Sequence, residues 1–187
     1  KVSWSVCIRS VPAGVAAAPV RSKAERVHPV RLAHVLLFTP DVQQCIEFYS
    51  RVLGLRLSDK AGDGVCFMHG IHGSDHHLTA FAKSNGPGLH HCSWDVGGID
   101  EIGRGAMHMA DKGFRKGWGL GRHVLGSNYF HYVSDPWGSY AEYSSDIDYI
   151  PLTQEWEAGD HDPEDSYYLW GPDFPDGFVH NFEADPD

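Results

Sequence analysis

The sequence predicts an α+β protein in which two β-α-β-β-β modules, residues 31–83 and 84–150, form one curved mixed sheet. Each module opens with a strand-like apolar stretch, continues into an amphipathic helical stripe and ends in three further strand-like stretches. Identity between the modules is low, so the repeat is inferred from the order of these patterns. Packed about a pseudo-twofold axis, the modules would place both first strands at the centre of an open barrel around a cavity.

The first module begins with an apolar run, residues 32–38, which predicts a strand with one polar side chain, His34. Asp41 is a candidate helix N-cap, and Gln44 lies three residues later, as in a capping box. Apolar residues then recur at helical spacing as far as Gly54, which ends the predicted helix. Three short strands are predicted near residues 55–58, 64–69 and 77–82.

The second module repeats this order. Residues 89–96 predict its first strand, which carries the adjacent histidines His90 and His91. A helical stripe follows over residues 99–109, weakened by internal glycines, and Gly113 ends it.

The last two strands of this module form a predicted hairpin. The turn sequence Asp135-Pro136-Trp137-Gly138 suits a type I turn closed by a glycine in the left-handed region. In that register Tyr132 lies opposite Glu142 on one face of the sheet. A carboxylate beside a phenol, on a face rich in aromatic and small polar groups, indicates a cavity. An ordinary hairpin with its glutamate in solvent is the alternative.

The two flanking segments differ from the modules in composition. Residues 1–30 begin with an alternating stretch and become Ala/Pro-rich and basic, which favours the last strand of an upstream unit followed by a linker. A disordered tail is the alternative. Residues 151–187 are acidic and show no reliable helix or strand pattern, but they contain more aromatic residues than a disordered acidic tail. We expect them to dock on the domain or on a neighbouring subunit.

Composition and charge limit the possible partners. The chain has 187 residues and a formal net charge of -10, and no Lys or Arg follows Arg122, which argues against nucleic acid and anionic membranes. No apolar run approaches the about 20 residues of a transmembrane helix. Four scattered cysteines without a CxxC pair predict reduced thiols in a cytoplasmic protein. They are Cys7, Cys45, Cys66 and Cys92.

Three polar side chains on predicted strands are candidate metal ligands. His34 lies on the first strand of the first module, and His91 occupies the matching place in the second. Glu142 lies on the last strand of the second module. Two imidazoles and one carboxylate at the centre of the sheet would form the facial triad that binds iron(II). Hydrogen-bonded structural roles are the alternative.

Several sequence blocks around these residues occur in a characteristic order. They are His77-Leu78-Thr79-Ala80-Phe81, Gly86-Pro87-Gly88-Leu89-His90-His91, Gly121-Arg122-His123, Tyr132, Asp135-Pro136-Trp137-Gly138 and Glu142. Over about residues 31–150 this order resembles the catalytic domain of the type I extradiol ring-cleaving dioxygenases, in the vicinal oxygen chelate superfamily. The resemblance implies the glyoxalase/bleomycin-resistance-like fold. Members usually carry a second, non-catalytic copy of the domain upstream, of which residues 1–30 would be a remnant or linker.

The resemblance also implies the cofactor and the reaction. Fe(II), or Mn(II) in some members, would be bound by His34, His91 and Glu142. The substrates would be a catechol and O2, and the product a semialdehyde whose ring is opened beside the two hydroxyls, a reaction of aromatic-compound degradation. A homo-oligomer is expected, with neither nucleic acid nor membrane as a partner.

Four further residues receive roles by the same resemblance. His77 would be the acid–base group beside the metal, since an imidazole near its ordinary pKa can accept and return a proton. His123 would hydrogen-bond to substrate or oxygen, and Tyr132 would contact the oxygens of the substrate. Asn128 would line the pocket.

Neighbouring histidines are expected to divide between the two faces of the sheet. Side chains alternate along a strand, so only one ring of each His–His pair can face the cavity. With His77 and His91 on that face, His76 and His90 are expected to face away and to have structural roles. The same is expected of His131, and Cys92 is not counted as a ligand.

Two rival functions remain at this point. One is another metalloenzyme of the superfamily, such as a hydroxyphenylpyruvate-type dioxygenase, which also uses two histidines and a carboxylate. A glyoxalase I fits less well, because that family has a glutamate near the position of His77. The other rival is a metal-free protein of the same fold that binds or sequesters a small molecule. It would not need the triad together with His77, His123 and Tyr132 around it.

Overall fold

The computed structural model describes residues 13, 14 and 18–186. The first module contains β1 (Arg31–Thr39), α1 (Val42–Leu53), β2 (Arg56–Ala61), β3 (Val65–His69), β4 (Ser74–Asp75) and β5 (Thr79–Lys83). The short β4 is an addition to the predicted order. Residues 1–12, where the strand of an upstream unit was expected, lie outside the described residues.

The second module and the C-terminal segment supply the remaining elements. They are β6 (Gly88–Asp95), α2 (Ile99–Asp111), β7 (Gly117–Arg122), β8 (Tyr129–Ser134), β9 (Tyr140–Ser145), β10 (Tyr149–Ile150), β11 (Gly159–His161) and α3 (Pro163–Ser166). Among the described residues, no helix has the length and apolar character needed to cross a membrane.

The main sheet has nine strands in the order β11-β2-β3-β5-β1-β6-β9-β8-β7. Its two central strands, β1 and β6, are the first strands of the two modules and pair antiparallel. Each is flanked on its other side by the last strand of its own module in parallel, β5 beside β1 and β9 beside β6. The predicted α+β class and the pairing of two similar modules in one mixed sheet are confirmed.

Helix α1 begins and ends where its sequence signals lie. Asp41 Oδ1 accepts a hydrogen bond of 2.9 Å from the backbone N–H of Gln44, which satisfies one of the free donors at the helix start. Gly54 closes the helix with a φ of 72°, a conformation that glycine adopts without steric cost.

Strand β3 separates the outer core from the cavity. Cys66 and Met68 are fully buried in a cluster with Val42 of α1. The alternate residues Val65 and Phe67 line the cavity on the opposite face of the sheet. Helix α2 packs on β8 and β9. This arrangement leaves the inner face of the sheet free to form a site.

The β8–β9 hairpin has the predicted register. Tyr132 pairs with Glu142, and the backbone N–H of Asp135 bonds to the carbonyl of Ser139. Gly138 has a φ of 95°. Asp135 Oδ1 accepts hydrogen bonds from the backbone N–H groups of Trp137 (2.8 Å) and Ser139 (2.9 Å), so one carboxylate oxygen organises the turn.

Replacing Asp135 with alanine should destabilise the protein by about 1–2 kcal/mol, because two backbone donors lose their acceptor. Chemical denaturation measures this difference. The exposed Asp176→Ala is the matched control and should lie within about 0.5 kcal/mol of the wild type. Equal stability of the two variants would show that the carboxylate does not hold the turn.

The C-terminal segment contains regular structure that the sequence pattern did not reveal. Strand β11 extends the main sheet by pairing parallel with β2, and Arg122 forms an isolated bridge with Trp170. No reliable pattern was visible in the sequence there, because elements of three or four residues such as β11 and α3 are too short to show periodicity. Phe178 is buried in a cluster with Trp118, Phe130, Tyr132 and Tyr140.

Candidate metal centre

Three buried side chains converge on one point at the centre of the sheet. His34 Nε2 lies 3.2 Å from His91 Nε2 and 3.1 Å from Glu142 Oε2. The third edge, from His91 Nε2 to Glu142 Oε2, is 3.5 Å. They come from the neighbouring strands β1, β6 and β9, so the pairing of the two modules creates the site.

This set fits a metal ion. Ligands bound at about 2.1 Å on one face of an octahedron lie about 3.0 Å apart, close to the three observed separations. Glu142 Oε2 and His34 Nδ1 are buried and have no hydrogen-bond partner among the described residues. A buried carboxylate oxygen that faces two ring nitrogens and accepts no hydrogen bond costs folding free energy, unless a cation binds between the three atoms.

The protonation of the set also suits a cation. Burial of Glu142 would raise its carboxyl pKa, but the contact with the ring nitrogen of His34 outweighs this effect and holds the pKa below its usual value. Burial lowers the pKa of His91 well below its usual value. The site therefore presents a carboxylate and a neutral imidazole, which is the form that binds metal.

His90 determines which nitrogen of His91 carries the proton. His90 Nε2 lies 2.9 Å from the carbonyl oxygen of Phe178, which can only accept, so His90 Nε2 is the donor. Burial lowers the pKa of His90 to about 4, so the ring is neutral and its Nδ1 is an acceptor. His91 Nδ1, 2.7 Å away, must then donate to it. His91 Nε2 therefore carries no proton, and its lone pair is directed at the metal position.

The expectation that His90 faces away from the cavity was wrong. Leu36 pairs with His91 and Leu37 with Leu89, so His90 is an extra residue at a β-bulge. A bulge breaks the alternation of side chains, and both rings lie on the same side. His90 consequently lines the cavity beside His91.

His77 lies beside the triad. Its ring centroid is 4.2 Å from that of His34, it is buried, and it lines the cavity. Burial, followed by the electrostatic effect of the neighbouring His34, lowers the pKa of His77 well below its usual value, so the ring is neutral. His76 lies behind it, Nδ1 to Nδ1 at 3.0 Å. Strand alternation does not apply to this pair, because both residues lie between β4 and β5.

His123 and Tyr132 form a second polar group on the cavity wall. His123 Nδ1 lies 2.7 Å from the carbonyl oxygen of Tyr167, so Nδ1 is the donor there. Burial lowers the pKa of His123, and in the neutral ring Nε2 accepts the Tyr132 hydroxyl at 3.0 Å. Burial, together with the charge of Glu142, raises the pKa of Tyr132 well above its usual value, so it remains a phenol.

The cavity has a volume of about 280 Å³ and mostly apolar walls. Its polar lining includes His34, His77, His91, His123 and Tyr132. The apolar walls include Leu36, Phe38, Phe67, Trp118 and, from the C-terminal segment, Phe174 and Phe178. The space suits a planar aromatic molecule with its polar edge toward the histidines.

Asn128 is placed differently from the expectation. It is fully buried, and its side-chain amide donates a hydrogen bond of 3.2 Å to Glu142 Oε1. It therefore lies behind Glu142 and holds that carboxylate, rather than lining the cavity. His131 alternates with Phe130 and Tyr132 on β8 and faces away from the cavity, as expected.

Sequence reasoning missed two kinds of contributor to the site. The apolar wall includes Phe174 and Phe178, in a segment without a periodic pattern. Asp59 contacts His76 and belongs to the support of His77, although nothing in its surrounding sequence marks it. The adjacent histidine pairs were the available signal for His76 and His90, but strand alternation assigned His90 to the wrong side.

The protein-family model described as "Glyoxalase/Bleomycin resistance protein/Dioxygenase superfamily" matches residues 31–143, which include both modules up to the strand of Glu142.

Individual relatives agree with this match. Metapyrocatechase 2 of Cupriavidus necator is 58% identical over 177 residues, which are 95% of this chain and 55% of the relative. The Mn(II)-bound glyoxalase from Novosphingobium aromaticivorans has a TM-score of 0.70 at 33% identity, over 80% of this chain and 49% of that structure. Homoprotocatechuate 2,3-dioxygenase from Arthrobacter globiformis has a TM-score of 0.68 at 25% identity, over 82% of this chain and 49% of that structure. The chain thus spans about half the length of these proteins.

Proposed function

Because the chain belongs to the glyoxalase/bleomycin resistance protein/dioxygenase superfamily, we propose that it carries the active site of an extradiol dioxygenase. The enzyme would use O2 to open the ring of a catechol beside its two hydroxyls and would release a semialdehyde. The observation that carries this proposal is the convergence of His34, His91 and Glu142, of which the two histidines line an aromatic cavity together with His77. The 58% identity to metapyrocatechase 2 supports the same reaction.

His34, His91 and Glu142 would hold the metal, which we propose to be Fe(II), with Mn(II) as the alternative. The likeness to a Mn(II)-bound glyoxalase keeps manganese in consideration. When bound, the metal would supply Lewis acidity and one-electron chemistry at the point where catechol and O2 meet. Asn128 would hold the carboxylate of Glu142 in place through its amide.

His77 would act as the acid–base group. Its ring is neutral because burial lowers its pKa, so it can accept a proton from a catechol hydroxyl at neutral pH. The buried position would keep that proton from solvent and allow its return to the departing oxygen later in the reaction. The low pKa of the ring makes the return of the proton favourable.

His123 and Tyr132 would orient the reactants. Tyr132 remains protonated and donates its one hydroxyl proton to His123 Nε2, so its oxygen can accept a hydrogen bond from a hydroxyl of the substrate. The aromatic wall would exclude water and hold the ring by its faces. We further propose that the protein acts in the cytoplasm as a homo-oligomer.

A glyoxalase is the second candidate, favoured by the likeness to the Novosphingobium structure. Dependence on O2 distinguishes the two functions. A ring-cleaving dioxygenase incorporates both atoms of O2 into its product, whereas a glyoxalase does not use O2. A hydroxyphenylpyruvate-type dioxygenase would consume O2 with a 2-oxo acid in place of a catechol. A metal-free binding protein would take up no metal.

The proposed function predicts oxygen consumption. Protein purified anaerobically and loaded with Fe(II) should take up one O2 for each catechol and form a yellow product, measured with an oxygen electrode and by visible absorbance. Oxygen uptake should also occur with substituted catechols. It should be absent with hydroquinone, because the two hydroxyls of hydroquinone cannot both reach one metal. Tight binding of one iron per chain without oxygen uptake for any catechol would contradict the assigned reaction.

A further inference from the structure

A line of hydrogen bonds runs from the back of His77 to the edge of the sheet. His77 Nδ1 lies 3.0 Å from His76 Nδ1, and His76 Nε2 lies 2.8 Å from Asp59 Oδ2. The other oxygen of Asp59, Oδ1, accepts from the backbone N–H of Gly159 at 2.7 Å and from His161 Nε2 at 3.0 Å. Three elements distant in sequence therefore support one ring in the cavity.

The chemistry of these groups limits the direction of each bond. An ionised carboxylate can only accept, so the proton between Asp59 and His76 belongs to His76 Nε2. His76 Nδ1 faces His77 Nδ1 at 3.0 Å, and this short contact requires one proton between the two nitrogens. The proposed arrangement places that proton on His77 Nδ1 and leaves His77 Nε2 as the basic nitrogen.

Burial makes this arrangement rigid. His76 is 1% exposed, and its ring packs edge to face against Trp156 at 5.6 Å between centroids. Ser58 donates a hydrogen bond to the backbone carbonyl of His76, which holds that residue from the other side. Burial opposes the charge on Asp59, but hydrogen bonds from His76, His161 and Gly159 outweigh it and keep its pKa below the usual value. Asp59 is accordingly the anion that the bond directions require.

The contrast with His90 shows what Asp59 adds. His90 and His91 form a similar pair, also Nδ1 to Nδ1, but that pair ends on the carbonyl oxygen of Phe178. A neutral acceptor is sufficient to orient a metal ligand. The pair behind His77 ends on a carboxylate, which is a stronger acceptor and stabilises the required proton position more firmly.

We propose that Asp59 and His76 are positioning residues that hold His77 as its Nδ1–H tautomer, with the Nε2 lone pair directed into the cavity. The consequence for catalysis rests on the proposed function, in which His77 Nε2 accepts a proton from the substrate. Through Gly159 and His161, strand β11 of the C-terminal segment takes part in this support.

Asp59→Asn is the sharpest substitution. The asparagine keeps the shape and can place its oxygen toward Gly159 and His161, while its NH2 group faces His76. His76 Nε2 must then accept, His76 Nδ1 becomes the donor, and His77 is expected to switch to the Nε2–H tautomer. Asp160→Asn, a neighbouring exposed carboxylate paired with Lys60, is the matched control.

The tautomer can be measured in metal-free protein by NMR of ¹⁵N-labelled histidine, with signals assigned by His77→Phe and His76→Phe. We expect the Nδ1–H form of His77 in the wild type and in Asp160→Asn, and the Nε2–H form in Asp59→Asn. An Nδ1–H form of His77 in Asp59→Asn, with the fold retained by circular dichroism, would overturn the proposal. This readout is independent of catalysis, so it stands even if the protein cleaves no catechol.

Kinetics test the consequence for turnover. In metal-loaded enzyme, Asp59→Asn should lower kcat by about 10²-fold and change KM for catechol less than about threefold, because the tautomer acts on proton transfer. In a His77→Phe background, Asp59→Asn should cause no further loss, since the two residues act through one ring. Independent, multiplicative losses would assign Asp59 a general structural role and overturn the positioning role.

Discussion

Replacing Glu142 with glutamine should abolish stoichiometric metal binding. The carboxylate is the anionic member of the set, it is 1% exposed, and its Oε2 lies within 3.5 Å of both ring nitrogens. Loss of an outer partner of a metal site costs about 10–100-fold in affinity, so loss of this charged ligand should cost more than about 10²-fold. Turnover should fall with metal content.

The measurement is anaerobic titration with Fe(II) and with Mn(II), followed by metal analysis of the desalted protein. Glu155→Gln is the control, because this glutamate is exposed in the C-terminal segment and should leave one metal per chain. Thermal unfolding of both variants checks that the fold is intact. A folded Glu142→Gln protein that retains one metal at wild-type affinity would remove Glu142 from the ligand set.

Replacing His77 with phenylalanine should separate binding from chemistry. The aromatic ring preserves the packing against His34 and Phe67, whose ring centroids lie 4.2 and 5.0 Å away, but it cannot accept a proton. We expect kcat to fall by about 10²–10⁴-fold, the usual contribution of general acid–base catalysis. Metal content and anaerobic affinity for catechol should remain within about threefold, because the triad is unchanged.

Single-turnover absorbance and anaerobic catechol titration give these two quantities separately. The exposed His72→Asn is the control for histidine replacement and should behave as the wild type. An unchanged kcat in His77→Phe would exclude the acid–base role. Loss of the metal in this variant would instead make His77 part of the metal site.

The local elements of the fold were accessible from the sequence because their signals act over a few residues. The Asp41 cap and the Gly54 terminus mark both ends of α1, and Asp135 with Gly138 determines the turn that pairs Tyr132 with Glu142. Such features depend on local hydrogen bonds and on allowed φ angles, which the neighbouring residues decide.

Predictions from sequence patterns were incomplete or wrong where contacts with another strand change the local periodicity of side chains. The bulge at His90 places two adjacent rings on one side of β6, and a bulge depends on the partner strand. The short strand β11 forms because β2 offers an open edge to it. Neither partner can be read from the segment itself.

The amino-acid sequence alone was sufficient to predict the order of the modules, the ends of α1, the register of the hairpin and the candidate ligands. The groups that support His77 became visible only in the folded sheet. The contact of Asp59 with His76 spans 17 residues, and its contact with Gly159 spans 100. Such contacts arise when the sheet closes and buries polar groups that must then find partners, a requirement of the whole fold and not of any one segment.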